Sequence, residues 1–258
     1  MKHLSAVVVG LFWCASMNAA LRTELVEYRQ GDAVLQGYLA YDDAGKGQRP
    51  GVVVVHEWWG LNDYAKKRAD QLAQLGYVAF AADIYGKEIR PKTPAEAGEQ
   101  AGKFKADRPL LRARVNAAVQ VLKNHSLVDP RRIAAIGYCF GGTAVLELAR
   151  SGADVAGVVS FHGGLDTPNP GDARQIKCKV LVLHGADDPH VKPAEVAAFQ
   201  DEMRQAHVDW QMTSYGGAVH SFTNPGSGSD SSKGVAYNEP ADRRSWEAMK
   251  QFFAEIFR

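Results

Sequence analysis

Four apolar runs, GVVVV (51–55), RIAAIG (132–137), VAGVVSF (155–161) and KVLVLHG (179–185), limit what this chain can fold into more than any other feature. A strand with one face in water alternates apolar and polar residues. A strand that is apolar at successive positions is buried on both faces, which is the situation of a parallel sheet covered by helices. The intervals supply the helices. Asn62-Asp63 can cap a helix running through Leu75 and stopping at Gly76, before the strand YVAFAAD (77–83). Leu111, Val115, Ala118 and Leu122 repeat at helical spacing, and Asp129-Pro130 breaks the chain before residue 132. Further helices are expected from near Gly141, from Pro193 to about Ala206, and from about Pro240 to Phe257, with a strand near Asp209 to Ser214. ELVEYR (24–29) and AVLQGYLAY (33–41) read as an opening hairpin across Gly31-Asp32. The expected class is therefore α/β, a mostly parallel sheet with helices on both faces in one domain. EIRPKTPAEAGEQ (88–100) reads as a flap and TNPGSGSDSSKG (223–234) as a loop.

Composition narrows the partners. Across 258 residues, 30 Lys and Arg against 29 Asp and Glu leave a formal charge of +1, with no electrostatic footprint for nucleic acid or an anionic membrane. A small molecule is the expected partner. Residues 1–20 have a basic start at Lys2, an apolar stretch from Leu4 to Ala15 and small residues at Ala19 and Ala20, the three-part shape of a secretory signal. That stretch is too short for a membrane span. The expected organisation is a signal peptide at 1–20 and a single domain at 21–258, exported to the periplasm or secreted, with no stable membrane association after the signal is removed. Two cysteines then remain, Cys139 and Cys178, and a domain of this length needs no disulfide.

The chemistry centres on GYCFGG (137–142), placed between a buried strand and a helix. In the Gly-x-nucleophile-x-Gly form, small residues permit a sharp turn that exposes the central side chain and aims adjacent N–H groups at a developing oxyanion. Here the central residue is Cys139. Asp188 follows the strand KVLVLHG, and His220 in GGAVHSF follows the next one. Nucleophile, acid and histidine in that order, each at a strand end, match the α/β-hydrolase fold. Cys139 would attack an acyl carbon, His220 would handle the proton, and Asp188 would orient the imidazole, with Asp187 as rival acid. His184 and His190 flank the two aspartates at no recognised ligand spacing, so neither a metal nor an organic cofactor is expected. His56, His162 and His184 read first as structural histidines, with lining of the pocket as the other reading of His162, and His190 reads as a surface turn residue.

HEWWGLN (56–62), ADIYGK (82–87), GYCFGG (137–142), HGADDPHV (184–191) and GGAVHSF (216–222) together resemble the dienelactone hydrolases, α/β-hydrolases with a cysteine nucleophile. The resemblance implies hydrolysis of a small ester or lactone. It implies that Glu57, stranded after four valines, contacts the resting Cys139 and assists formation of the thiolate. It also implies an oxyanion hole made by the backbone N–H groups of Trp58 and Phe140. The expected substrate pocket comprises Trp59, Tyr85, Lys87, Phe161, His162, Ser221 and Asn224. Lys87 and Asn224 stand where family members carry two arginines that hold a substrate carboxylate, so activity on dienelactone itself is not expected to follow. A thioesterase or acyl transferase is the alternative within the fold, and a ligand-binding or thiol redox-sensing relative is the alternative outside catalysis.

Overall fold

The computed structural model describes residues 20–258, so all of the expected signal peptide except Ala20 lies outside the described residues. The strands are β1 (Leu21–Gln30), β2 (Ala33–Asp42), β3 (Arg49–Val55), β4 (Val78–Ala82), β5 (Val128–Tyr138), β6 (Gly157–Phe161), β7 (Lys179–Gly185) and β8 (Trp210–Tyr215). They form one sheet in the order β1-β2-β4-β3-β5-β6-β7-β8. β1 pairs antiparallel with β2, and β2 with β4; every later pairing is parallel. Six helices follow the strands: α1 (Asp63–Gln74), α2 (Pro94–Ala106), α3 (Arg108–Lys123), α4 (Phe140–Arg150), α5 (Pro193–Gln205) and α6 (Glu239–Ile256).

The valine run shows why the sheet needs both helical layers. Val53 and Val55 pack among Phe104, Leu111, Val115, Leu148 and Phe199, in the layer of α2, α3, α4 and α5. Val52 and Val54 pack among Leu72, Met249 and Phe253, in the layer of α1 and α6. Burying each valine is worth roughly 1.5–2 kcal/mol, and a polar replacement would find no solvent on either face. The outer strand β1 differs, being exposed along most of its length.

Two segments depart from the sequence expectation. β5 begins at Val128, ahead of Asp129-Pro130, because Arg49 pairs with Val128 and the register shifts before Gly51 meets Ile133. An irregularity of that kind accommodates a proline inside a ladder. The expected flap at 88–100 is in part the start of α2. Thr93 accepts from the Glu96 N–H while Glu96 accepts from the Lys92 N–H, and Pro94 occupies the first turn. Those bonds satisfy helix-end donors in the manner of a capping box and fix where α2 starts.

Candidate active site

Cys139 occupies the turn between β5 and α4 with φ 54°, a left-handed value that a side chain adopts only when its surroundings enforce it. The enforcement comes from packing too close for any β-carbon. One built on Gly137 would lie 2.0 Å from the Gly141 carbonyl oxygen, and one on Gly141 would lie 2.2 Å from that of Val55. The Cys139 N–H donates to the Phe161 carbonyl at 3.0 Å and also points to His162 Nδ1 at 3.1 Å. Since Nδ1 must accept there, Nε2 carries the ring proton of His162 and donates it to Thr223 Oγ1 at 2.7 Å. Thr223 Oγ1 lies 2.6 Å from the Tyr64 hydroxyl. Burial drives the pKa of His162 well below the usual histidine range, consistent with this neutral tautomer.

Loops after β7 and β8 bring the other two groups in. His220 Nε2 is 3.0 Å from Cys139 Sγ, and its Nδ1 is 2.8 Å from Asp188 Oδ2. The other Asp188 oxygen accepts from the His190 N–H at 2.8 Å. Asp187, the rival acid, instead accepts from the Gly217 N–H in the turn after β8. Burial alone would lower the pKa of His220, but the Cys139 sulfur and the Asp188 hydrogen bond and charge outweigh it and raise it to about 10. The backbone N–H groups of Trp58 and Phe140 have no hydrogen-bond partner among the described residues, and both residues line the cavity in front of the sulfur.

Glu57 is buried in the same cavity wall, but its hydrogen bonds go elsewhere than expected. Ser221 Oγ donates to Oε1 at 2.8 Å and Asn224 Nδ2 to Oε2 at 2.7 Å, while the thiol faces His220. Both carboxylate oxygens are thus engaged by better donors than S–H. Burial raises the Glu57 carboxyl, with the two side-chain bonds opposing the shift.

The cavity has a volume of about 940 Å³. Of the expected pocket residues, Trp59, Ser221 and Asn224 line it, and Tyr85, Lys87, Phe161 and His162 do not. Tyr85 is buried behind the wall, its hydroxyl donating to the Trp58 carbonyl and its ring stacked on Phe104. Lys87 pairs with Glu27 on β1, at the molecular surface. Phe161 turns into the α1/α6 layer and stacks on Tyr138, because strand side chains alternate faces. His162 is fully buried under the nucleophile turn. His190, read as a surface turn residue, lines the cavity with its ring centroid 5.1 Å from that of His220. The sequence reading also missed Tyr64 and the α2 face carrying Gly98, Ala101, Gly102 and Lys105, all of which border the cavity. The spacing of these four along a capped helix was the available signal. His56 and His184 are buried away from the cavity, as a structural role requires. Cys139 and Cys178 are both free thiols. Among the described residues no cluster of three or more His, Cys, Asp or Glu could hold a metal ion, and no helix is long and apolar enough to cross a membrane.

An eight-stranded, mostly parallel sheet with a cysteine on a strained strand-to-helix turn, and an acid and a histidine at later strand ends, defines an α/β-hydrolase. Within that class the chain belongs to the dienelactone hydrolase family, whose profile matches residues 35–257. It is 44% identical to the dienelactone hydrolase-like promiscuous phosphotriesterase P91 from metagenomic libraries, covering 93% of this chain and 100% of that one with a TM-score of 0.87. A second solved structure, named m3DLH, is 43% identical with a TM-score of 0.89 and the same coverage. A Bradyrhizobium sp. protein named as a probable 2-oxo-3-(5-oxofuran-2-ylidene)propanoate lactonase is 32% identical, over 68% of this chain and 74% of its own. The chain is a dienelactone hydrolase-like hydrolase.

Proposed function

We propose that this hydrolase cleaves a small carboxylic ester or lactone through a covalent thioester on Cys139. The observation that carries this reading is the continuous path from Cys139 Sγ through the His220 ring to Asp188 Oδ2, with contacts of 3.0 and 2.8 Å. His220 takes the thiol proton, and the resulting thiolate adds to the acyl carbon. The carbonyl oxygen becomes an oxyanion, which accepts from the free N–H groups of Trp58 and Phe140. Collapse of this intermediate breaks the ester C–O bond, and the imidazolium returns its proton to the leaving alkoxide. Water then attacks the thioester, His220 accepts a proton from it, and the acid leaves as the thiol is regenerated. Asp188 holds the ring in the required tautomer and favours its charged form throughout.

Glu57 has a supporting part in this proposal. When the sulfur turns away from His220, the buried carboxylate is a base for the thiol proton, and burial makes it a stronger one than an ordinary glutamate. Export is proposed from residues 1–20, and intact-mass measurement of protein recovered from the periplasm or medium, beginning near Ala20 or Leu21, would support it.

The test is hydrolysis of p-nitrophenyl butyrate by the wild type and by Cys139→Ala under reducing conditions. Loss of at least a thousandfold in kcat/KM is expected. Unchanged hydrolysis in the variant would overturn the thiol mechanism, and an unreactive wild type with a titratable thiol would favour the ligand-binding or redox-sensing alternative. A second activity, on uncharged phosphotriesters, is suggested by the name of the 44% identical relative. Release of p-nitrophenol from diethyl p-nitrophenyl phosphate, absent in Cys139→Ala, would establish it.

A further inference from the structure

Gly98, Ala101, Gly102 and Lys105 fall three, four and seven residues apart on α2 and so share one helix face, and all four border the cavity. The first three are small, and two of them leave clear space. A β-carbon on Gly102 would meet nothing within 4 Å, and one on Gly98 would meet only the edge of the Trp58 ring at 3.9 Å. This face is therefore an open trough along the cavity, ending at a cation. Among the described residues Lys105 is the sole lysine or arginine lining the cavity, and it makes no ion pair or hydrogen bond with them. Its Nζ lies 3.7 Å from the β-carbon position on Gly164, which also lines the cavity. Asp166 Oδ1 lies 3.1 Å from the same position, so a carboxylate stands near Lys105 without pairing with it, and the other oxygen of that group is held by Arg108 at 2.7 Å. Of the two other polar groups expected near the pocket, Lys87 pairs with Glu27 outside the cavity and Asn224, on its wall, donates to Glu57.

We propose that the α2 trough is a subsite for an anionic substituent of the substrate, with Lys105 as its charge partner, so that the enzyme prefers esters whose acyl chain ends in a carboxylate over their uncharged analogues. This rests on the ester hydrolase reading and adds to it the charge and placement of the substrate's far end. An alternative role for Lys105, as a cation placed in the last turn of α2 to balance the helix dipole, is shared by Lys103, which leans over the Phe104 ring and lies outside the cavity. Lys103 is thus the internal control.

The experiment uses the full chain and two esters of equal acyl length, p-nitrophenyl hexanoate and the mono-p-nitrophenyl ester of adipic acid. The readout is the ratio of their kcat/KM values. In Lys105→Met the ratio should shift against the adipate ester by about two- to fivefold, the range open to a solvent-accessible charge pair. Lys105→Glu should shift it further, Lys103→Met should leave it in place, and added salt should shrink the wild-type preference. A ratio unmoved by both Lys105 variants, while hexanoate hydrolysis stays Cys139-dependent, would overturn the subsite alone. Hexanoate hydrolysis that survives Cys139→Ala, or a wild type that cleaves neither ester, would overturn the underlying reading and the subsite with it.

Discussion

A β-carbon added to Gly141, two residues after Cys139, would stand 2.2 Å from a backbone oxygen, whereas one added to Gly102, in the wall formed by α2, would meet nothing within 4 Å. The two regions border one cavity and are built under opposite constraints. Around Cys139 the backbone of β3, β5 and α4 is in contact, and the left-handed cysteine is held by that contact. Along α2 the cavity is bordered by two glycines, Ala101 and Lys105, and at Gly102 the space beyond the backbone is open. The proposed chemistry thus falls where the fold leaves no freedom, and the proposed recognition where residues can change without moving the backbone.

Four measurements sharpen or break that contrast. The largest effect belongs to the constrained side. Asp188→Asn should lower kcat/KM by about a hundredfold or more, because an amide neither fixes the imidazole tautomer nor stabilises its charge. It should also move the alkaline limb of the pH–rate profile downward. Asp188 helps raise His220 to about 10, so without the carboxylate the imidazolium loses its proton at lower pH and the leaving group loses its acid earlier. An unmoved limb would show that Asp188 does not set this titration. Next, Gly141→Ala should destabilise the protein by about 3–5 kcal/mol or prevent folding, read as the urea midpoint or soluble yield, since the collision is with backbone rather than a movable side chain.

Smaller effects follow. Thr223→Val removes the oxygen shared by His162 Nε2 and the Tyr64 hydroxyl and should cost about 1–3 kcal/mol in denaturant unfolding. A cost well below that range would mean that the bonds beneath the nucleophile turn are dispensable. Smallest and opposite in sign, Gly102→Ala should stabilise α2 by about 0.5–1 kcal/mol, since alanine fits the space and restricts the unfolded chain. A destabilising Gly102→Ala would remove the basis for calling this wall permissive.

The same contrast explains what could be read from the sequence. The nucleophile, acid and histidine each follow a recognisable strand, and their order survives any error in element boundaries. The pocket does not have that protection. Phe161 and His162 are adjacent at a strand end, and which of them faces ligand depends on the pleat and the next turn. Both are buried, one in the α1/α6 layer and one beneath Cys139. The partners of Glu57 lie 164 and 167 residues further along, beyond the reach of any local pattern. α2 was legible in part. Thr93, Pro94 and Glu96 spell a helix start, but Pro91 and the glycines at 98 and 102 lower helical propensity enough to suggest a flap, and packing of Ala97, Ala101 and Phe104 on the core overrides them.

The exposed strand β1 bears on a different matter, how the molecule behaves among copies of itself. Among the described residues no strand covers its outer edge, which leaves ten residues as a template for another chain. That edge carries Arg22, Glu24, Glu27 and Arg29, and Arg22 is further anchored to Asp43 at 2.6 Å and Glu27 to Lys87. A second copy zipping onto it would have to strip water from these charges along the whole length of the strand. The exposed Leu21 and Leu25 stand beside these charges, an arrangement that opposes edge-to-edge pairing.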